Sequence, residues 1–233
     1  MTFNFQLKPR RTTLILMLIV AGLLAASLIG QYFTYFKGDG HMQGFVPQFN
    51  LDREMNIPTW FSTACFLFAA LLLLQLSGVD TKIARKYWRG LSLVFVFISI
   101  DECAGIHEMA VGIMRRLFHA HGLLYFSWVI LGVAFVAILA LLYARFFISK
   151  TRPIRGLFFL SAGIFLVGTL GLEMIGGRYV ESHGMETFTY ALIANGEEAL
   201  ELIGLVVFLH ALMVLLEKRQ QSASAANRGA ARL

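Results

Sequence analysis

The sequence predicts an all-α integral membrane protein, a bundle of six transmembrane helices with the N-terminus and the C-terminus in the cytoplasm. Its 233 residues are 58% hydrophobic and 15% charged, a composition far outside that of soluble domains. Six apolar segments reach the roughly 20 residues that a helix needs to cross a hydrocarbon core of about 30 Å. Lysine and arginine are concentrated in alternate connections between these segments, which is the pattern of a polytopic membrane protein.

The predicted spans lie at residues 12–36, 58–78, 91–118, 123–147, 157–180 and 187–216. All are expected to be helical, because a backbone exposed to lipid must satisfy its own hydrogen bonds. The first follows a basic stretch, as a secretory signal does, but it is too long for a signal-peptide core and is predicted to be retained. Residues 1–219 thus form one transmembrane domain, and the Ser- and Ala-rich residues 220–233 are predicted to be a disordered cytoplasmic tail.

The distribution of basic residues predicts the orientation. Fifteen of the 20 lysines and arginines fall in the N-terminus, the second and fourth connections and the C-terminus, which places these segments in the cytoplasm. The first connection, residues 37–57, is then outside. It mixes apolar and charged residues, so it is predicted either to lie at the membrane interface over a site that opens outward or to be a plain loop.

Composition also limits the partners. The net charge of +6 comes from short clusters between apolar runs, so no nucleic-acid partner is expected. Cys65 and Cys103 lie inside apolar spans and predict no disulfide. The expected partners are the lipid bilayer, in a bacterial inner membrane, and a hydrophobic small molecule or lipid as substrate. The oligomeric state is left open.

Acidic residues within the spans are the main functional signal. Spans one, two and four contain none, whereas spans three, five and six contain half of the chain's 14 carboxylates. An ionised carboxylate near the bilayer centre costs about 2.5–3.5 kcal/mol, so seven unpaired ones would cost on the order of 20 kcal/mol. Bound metal ions, protons or water must therefore neutralise them. The candidate metal ligands are Asp101, Glu102, His107, Glu108, Glu173, Glu197, Glu198 and Glu201.

Helical periodicity predicts that these residues share one site. Counted along one continuous helix, Asp101 and Glu108 differ by about 20° and share a face, with Ala104 and Gly105 leaving room for a close approach. The three carboxylates of span six, in the pattern Glu-Glu-x-x-Glu, fall within an arc of about 100°. Glu173 is surrounded by glycines in span five. His210 faces away and is predicted to be a structural, hydrogen-bonding histidine.

Two main hypotheses follow. The first is a divalent metal site, favouring iron or manganese, with magnesium, calcium or zinc as alternatives, used for chemistry on a lipid-like substrate. Its ligand chemistry is similar to that of carboxylate-rich four-helix bundles, but the Glu-x-x-His motif of those bundles is absent from the spans. The second is a proton- or cation-coupled transporter or channel that uses the same acids as a relay. A scaffold subunit of a membrane complex is a third possibility, and no catalytic residue is assigned.

Overall fold

The computed structural model describes the backbone of residues 8–230 and the side chains of residues 8–222. Within these residues the protein is helical and contains no strand. The α-helices are α1 (Pro9–Tyr32), α2 (Phe45–Phe49), α3 (Ile57–Val79), α4 (Lys82–Ala104), α5 (Ile106–Phe118), α6 (Val129–Ile148), α7 (Arg152–Leu166), α8 (Glu173–His183) and α9 (Phe188–Ala230). Two π-helical segments, Phe33–Lys37 and Val167–Leu172, extend α1 and join α7 to α8.

Five continuous helical segments are long and apolar enough to cross a membrane. They are Pro9–Lys37, Ile57–Val79, Val129–Ile148, Arg152–His183 and Phe188–Ser222. A sixth span exists only if α4 and α5 are counted together, and these two helices are bent by 80° at their junction. The predicted all-helical, multi-span architecture is therefore confirmed at the level of five to six such helices.

The predicted third span, residues 91–118, is not one continuous helix. Gly105 adopts the left-handed conformation, with φ of 57° and ψ of 36°, and ends α4. Such a backbone favours glycine, because a Cβ would clash with the neighbouring carbonyl. The prediction that Asp101 and Glu108 share one helical face is therefore wrong: Asp101 lies on the last turn of α4, and Glu108 lies on the first turn of α5.

The core of the bundle lies around α9, which packs against α1, α3 and α7. Gly204 brings α9 close to α7, since a Cβ at this position would lie 2.7 Å from the backbone nitrogen of Phe165. Ser161 on α7 donates a hydrogen bond to the Gly204 carbonyl at 2.9 Å. His210 is within 2.8 Å of the Thr13 hydroxyl on α1, which confirms its predicted structural role.

Charged residues of the second and fourth connections and of α9 meet at one end of the bundle, here called the basic end. Asp80, which follows α3, has only 1% of its side chain exposed and lies 3.1 Å from Arg219 and 3.9 Å from Lys150. It also accepts hydrogen bonds from the Trp88 indole at 2.9 Å and from the Thr81 backbone at 2.8 Å. One buried carboxylate thus connects three segments that are distant in the sequence.

Helix α6 stands apart from the rest of the bundle along most of its length. Its buried residues, Val129 and Phe146, lie near its two ends. Between them, Leu141 is 86% exposed on the outer face. The inner face of the same stretch lines a cavity, and α6 touches α4 there through the aromatic contacts Phe97–Phe135 and Tyr87–Tyr143.

At the C-terminus, α9 continues to Ala230. The predicted disorder of residues 220–233 falls mostly on residues whose side chains lie outside the described part of the chain, and it stays a prediction.

Candidate functional site

A cavity of about 930 Å³ lies between α4, α6, α7 and α9 and extends to the connection that precedes α3. Every site residue predicted from the sequence lines it. These residues are Asp101, Glu102, His107, Glu108, Glu173, Glu197, Glu198 and Glu201. The periodicity argument for span three was wrong, but all eight residues line this one cavity, and the prediction of a shared site stays a prediction. We call this part of the lining the acidic wall.

The break at Gly105 builds the first part of the acidic wall. Asp101 accepts a hydrogen bond from the backbone N–H of His107 at 2.9 Å, which satisfies a free donor in the first turn of α5. Its second oxygen lies 2.9 Å from His107 Nδ1. A proton on Nδ1 then fixes the ring and leaves Nε2 as the acceptor or ligand atom.

Trp128, just before α6, continues this chain of contacts. Its ring lies 4.9 Å from the His107 ring, measured between centroids. Its indole N–H donates a hydrogen bond of 2.5 Å to Glu173 at the start of α8. The contacts from Asp101 through His107 and Trp128 to Glu173 therefore link α4, α5, α6 and α8 around the cavity.

The π-helical segment before Glu173 brings α9 against this chain. A Cβ at Gly168 would lie 2.8 Å from the Glu197 carbonyl oxygen and 3.2 Å from Glu201 Cγ, so the two backbones touch here. The carboxyl groups of Glu173 and Glu197 are close neighbours at this contact. Repulsion between two such carboxylates is relieved when one of them carries a proton.

Residues from α3 and from the first connection complete the wall. Ser62 donates a hydrogen bond of 2.5 Å to Glu102. Glu54 lies directly against Gly105, where an added Cβ would be 2.5 Å from one carboxylate oxygen. Gly105 is thus required both by its positive φ and by the close approach of this carboxylate.

The charge of the cavity lining is strongly unbalanced. Nine carboxylate side chains line it, against two arginines and one histidine. Arg115 is already engaged, since its guanidinium donates to the Tyr125 carbonyl at 2.6 Å and stacks over the Tyr125 ring. Most of the negative charge therefore has no protein cation beside it and requires protons, water or bound cations.

The geometry departs from the predicted buried metal site in two ways. The eight predicted residues are partly buried or, for Glu108, exposed, because the open cavity leaves one side of each accessible. Within residues 8–222, no three His, Cys, Asp or Glu side chains are arranged so that they could hold a metal ion. The acids share a space, but they do not form a ready coordination sphere.

Asp52 lies outside the spans and lines the mouth of the cavity, where Tyr190 donates a hydrogen bond to it at 3.4 Å. Burial by the surrounding protein raises the pKa of Asp52 to about 6, the Tyr190 hydrogen bond opposes this increase, and the negative charge of Glu108 adds to it. Burial and Glu108 raise the pKa of the neighbouring Glu54 as well.

We expect Asp52→Asn to become more stable relative to wild type as the pH rises from about 4 to about 7. A raised pKa in the folded state means that the folded protein favours the neutral acid. The neutral Asp52 carboxyl therefore stabilises the wild-type fold at low pH, and this stabilisation is lost as the pH rises through about 6. Thermal unfolding in detergent at several pH values measures this difference.

Asp39→Asn is the matched control, because backbone hydrogen bonds from Met42 and His41 lower the pKa of Asp39. Its stability relative to wild type should decrease as the pH rises through the acidic range, which is the opposite sign. A pH-independent difference for Asp52→Asn would contradict the raised pKa.

The opposite side of the cavity, the apolar wall, follows α6 toward the basic end. It extends from Gly132 to Phe147, about 22 Å of helix and more than half of a hydrocarbon core of about 30 Å. Phe159 on α7 lines the cavity and is 50% exposed, so the space reaches the outer surface of the bundle. One cavity thus joins an acidic wall to a long apolar wall.

A family model described as Domain of unknown function (DUF8692) matches residues 13–216. The chain belongs to this family. No curated protein and no solved structure matches the chain. The DUF8692 match extends from α1 into α9 and includes both walls of the cavity.

Several residues of the DUF8692 region that line the cavity or hydrogen-bond to its lining were not predicted as site residues. Trp128 and Ser62 gave no signal in the sequence, because a tryptophan at a span end is typical of the interface and a serine is common in spans. Asp52 and Glu54 did give a signal, since they are among the charged residues of the connection for which one of the two predictions was that it covers an outward-facing site.

Proposed function

We propose that the protein binds a lipid-like amphiphile in the large cavity and acts on it with the help of a divalent cation held at the acidic wall. The observation that carries this proposal is the union of the two walls in one space that reaches the lipid-facing surface. The chain of an amphiphile matches the apolar wall. Its polar end then faces the carboxylates and His107.

The apolar wall supports a ligand that enters from the bilayer. Phe135, Leu139 and Phe165 line it. Contact of this apolar surface with water is unfavourable, and a polar solute does not relieve that cost. A ligand without a long apolar portion would leave this wall empty, so a lipid or another hydrophobic molecule is the substrate class that fits.

The acidic wall supports a cation. Its donors are carboxylate oxygens and one imidazole, a set that suits iron, manganese, magnesium or calcium better than zinc. Asp101 contacts His107 at Nδ1, and a carboxylate in this position fixes the orientation of a histidine whose other nitrogen binds a metal. When bound, such a cation polarises a carbonyl or phosphoryl oxygen or lowers the pKa of a bound water.

The carboxylates must rotate to complete a coordination sphere, since the described side chains do not form one. The glutamates are long and border open space, so their rotation is unobstructed on the cavity side. Iron and manganese are our preferred ions. The proposed topology places the basic end in the cytoplasm and the acidic wall toward the outer half of a bacterial inner membrane.

The central test is the metal content of the purified full-length protein and of Glu201→Gln. The substitution keeps the shape and hydrogen-bonding capacity of the side chain but removes its negative charge. We expect wild type to retain about one divalent ion per chain and Glu201→Gln to bind that ion about 10- to 100-fold more weakly, as measured by elemental analysis and Mn²⁺ titration.

Glu217→Gln is the control, because Glu217 is exposed on the same helix and does not line the large cavity. It should bind metal like wild type. Wild-type protein that remains metal-free after Mn²⁺ or Fe²⁺ addition would refute the metal site, and equal losses in the two variants would show that binding is a surface effect.

Proton-coupled transport is the second candidate, and the Glu173–Glu197 contact favours it. Two neighbouring carboxyls can share one proton, and such a pair is a natural element of a relay. In that case wild type in liposomes would show pH-dependent flux without bound metal, and Glu201→Gln would abolish the flux while mimicking a protonated acid.

A further inference from the structure

We propose that a second cavity, at the basic end of the bundle, binds the phosphate group of an anionic phospholipid. This cavity has a volume of about 460 Å³ and lies between the connection from α3 to α4, the connection from α6 to α7 and the last described turns of α9. It is separate from the acidic wall, and the inference is independent of the chemistry proposed there.

The charge of this cavity favours an anion. Lys150, Lys218 and Arg219 line it together with a single carboxylate, that of Asp80. The two oxygens of Asp80 already face Arg219, Lys150, the Trp88 indole and the Thr81 backbone N–H. Asp80 therefore holds the cations in place without neutralising all of them, and a net positive charge remains for a ligand.

Donors without partners give a second, independent indication. The Nε atom of Arg219 is buried and has no hydrogen-bond partner among the described residues. Lys218 is exposed and makes no ion pair in the part of the chain whose side chains are described. A buried donor left unpaired is costly, so an acceptor that reached Nε after a small movement of the Arg219 side chain would be favoured.

The start of α7 adds backbone donors. Thr151 precedes this 15-residue helix and makes no capping hydrogen bond with its side chain, so the N–H groups of Arg152 and Ile154 lack that partner; Pro153 between them has no N–H. Thr151 and Ile154, in the first turn, both line the cavity. A helix N-terminus of this kind attracts anions through its dipole and its free N–H groups.

The apolar border identifies a lipid as the source of the phosphate. Ile83, Phe146 and Leu215 line the same cavity, and Ile83 is 74% exposed on the outer surface of the bundle. Phe146 and Leu215 are already buried, so Ile83 is the apolar side chain of this border that the glycerol and acyl portions of a phospholipid would cover and that a free phosphate ion would leave exposed. Basic pockets between membrane helices on the cytoplasmic side characteristically bind anionic headgroups.

Lys218→Gln tests the site without disturbing Asp80, since Lys218 is not one of its partners. The purified full-length protein is titrated with phosphatidylglycerol, with phosphatidylcholine and with inorganic phosphate, and bound lipid is measured by native mass spectrometry. We expect wild type to prefer phosphatidylglycerol, inorganic phosphate to compete with it, and Lys218→Gln to weaken its binding about tenfold.

Lys86→Gln is the matched control, because Lys86 is an exposed lysine of the same end that does not line the cavity. It should bind like wild type, and both variants should unfold at the wild-type temperature. Equal weakening by the two substitutions would overturn the site in favour of diffuse surface charge. Lys218-dependent binding of inorganic phosphate, without preference for phosphatidylglycerol, would overturn the lipid assignment.

Discussion

Asp80→Ala should destabilise the protein by about 3–5 kcal/mol, the cost of removing one partner from a buried charge cluster. The substitution leaves Lys150, with 10% of its side chain exposed, without its counter-ion and leaves the indole N–H of buried Trp88 without its acceptor. It also frees the end of α9, because Arg219 loses its contact. Thermal or denaturant unfolding of the purified protein measures the loss.

Glu217→Ala is the control for the loss of an acidic residue at the same end, and it should change stability by no more than about 0.5 kcal/mol because Glu217 is exposed. The loss of stability caused by Asp80→Asn should lie between those of Asp80→Ala and Glu217→Ala, since the amide oxygen can still accept one of the hydrogen bonds. A loss below about 1 kcal/mol for Asp80→Ala would show that the cluster does not join the helices.

Asp80 also shows where sequence reasoning reaches its limit. It follows an apolar span and precedes a basic run, so it resembles an ordinary solvated turn residue. Its partners Lys150 and Arg219 are separated from it by many helical turns, and only the packing of α9 brings them together. Pairing across such a distance leaves no local pattern in the sequence.

The spans themselves were predictable because hydropathy and the distribution of basic residues are local properties. The predicted span 58–78 compares with α3 at Ile57–Val79, and the other continuous spans agree to within several residues at most ends. These signals depend on the composition of a window of residues. They need no knowledge of tertiary contacts.

The prediction for the third span failed because helical periodicity was counted without a break at Gly105. A glycine inside an apolar helix is usually tolerated, and its positive φ becomes evident only when the following helix leaves the axis by 80°. The composition of 106–118, with Arg115 and Arg116 near its end, fits a helix at the interface better than the outer part of a span. Glu54 contacts Gly105 closely, so the room predicted beside this glycine is taken by a carboxylate and not by a neighbouring helix.

The predicted acids line one cavity although the helical geometry was partly wrong, and the cause is energetic. If these helices lie in a membrane, lipid excludes carboxylates from their outer faces, and the carboxylates turn toward a common interior even where a helix bends. The sequence could not show that this interior is an open cavity with an apolar extension. That feature arises from the position of α6. The residues of α6 are apolar both on the side that lines the cavity and on the opposite side, so the sequence does not distinguish the two.

Filling the apolar wall should abolish binding of the amphiphile while leaving the fold intact. Ala140 on α6 and Ala162 on α7 both line the cavity and are both exposed to it. In the double variant Ala140→Trp/Ala162→Trp, two indole rings occupy space that the ligand chain requires. We expect at least about a tenfold decrease in lipid retained per chain and in affinity for a pyrene-labelled fatty acid, measured by mass spectrometry and by fluorescence.

The matched control is Leu141→Trp/Leu160→Trp, which places the same two side chains on the same two helices at residues that do not line the cavity and are 86% and 54% exposed. This control should retain lipid like wild type. Both double variants should also unfold near the wild-type temperature, because the added rings enter open space or face lipid and do not compress a packed core. Undiminished binding by the cavity variant would refute the ligand position, and equal decreases in the two variants would indicate lipid bound around the outside of the bundle.

The outcome is informative about the acidic wall as well. If the cavity variant keeps its metal but loses its lipid, the two walls bind separate components of one complex, as the proposed function requires.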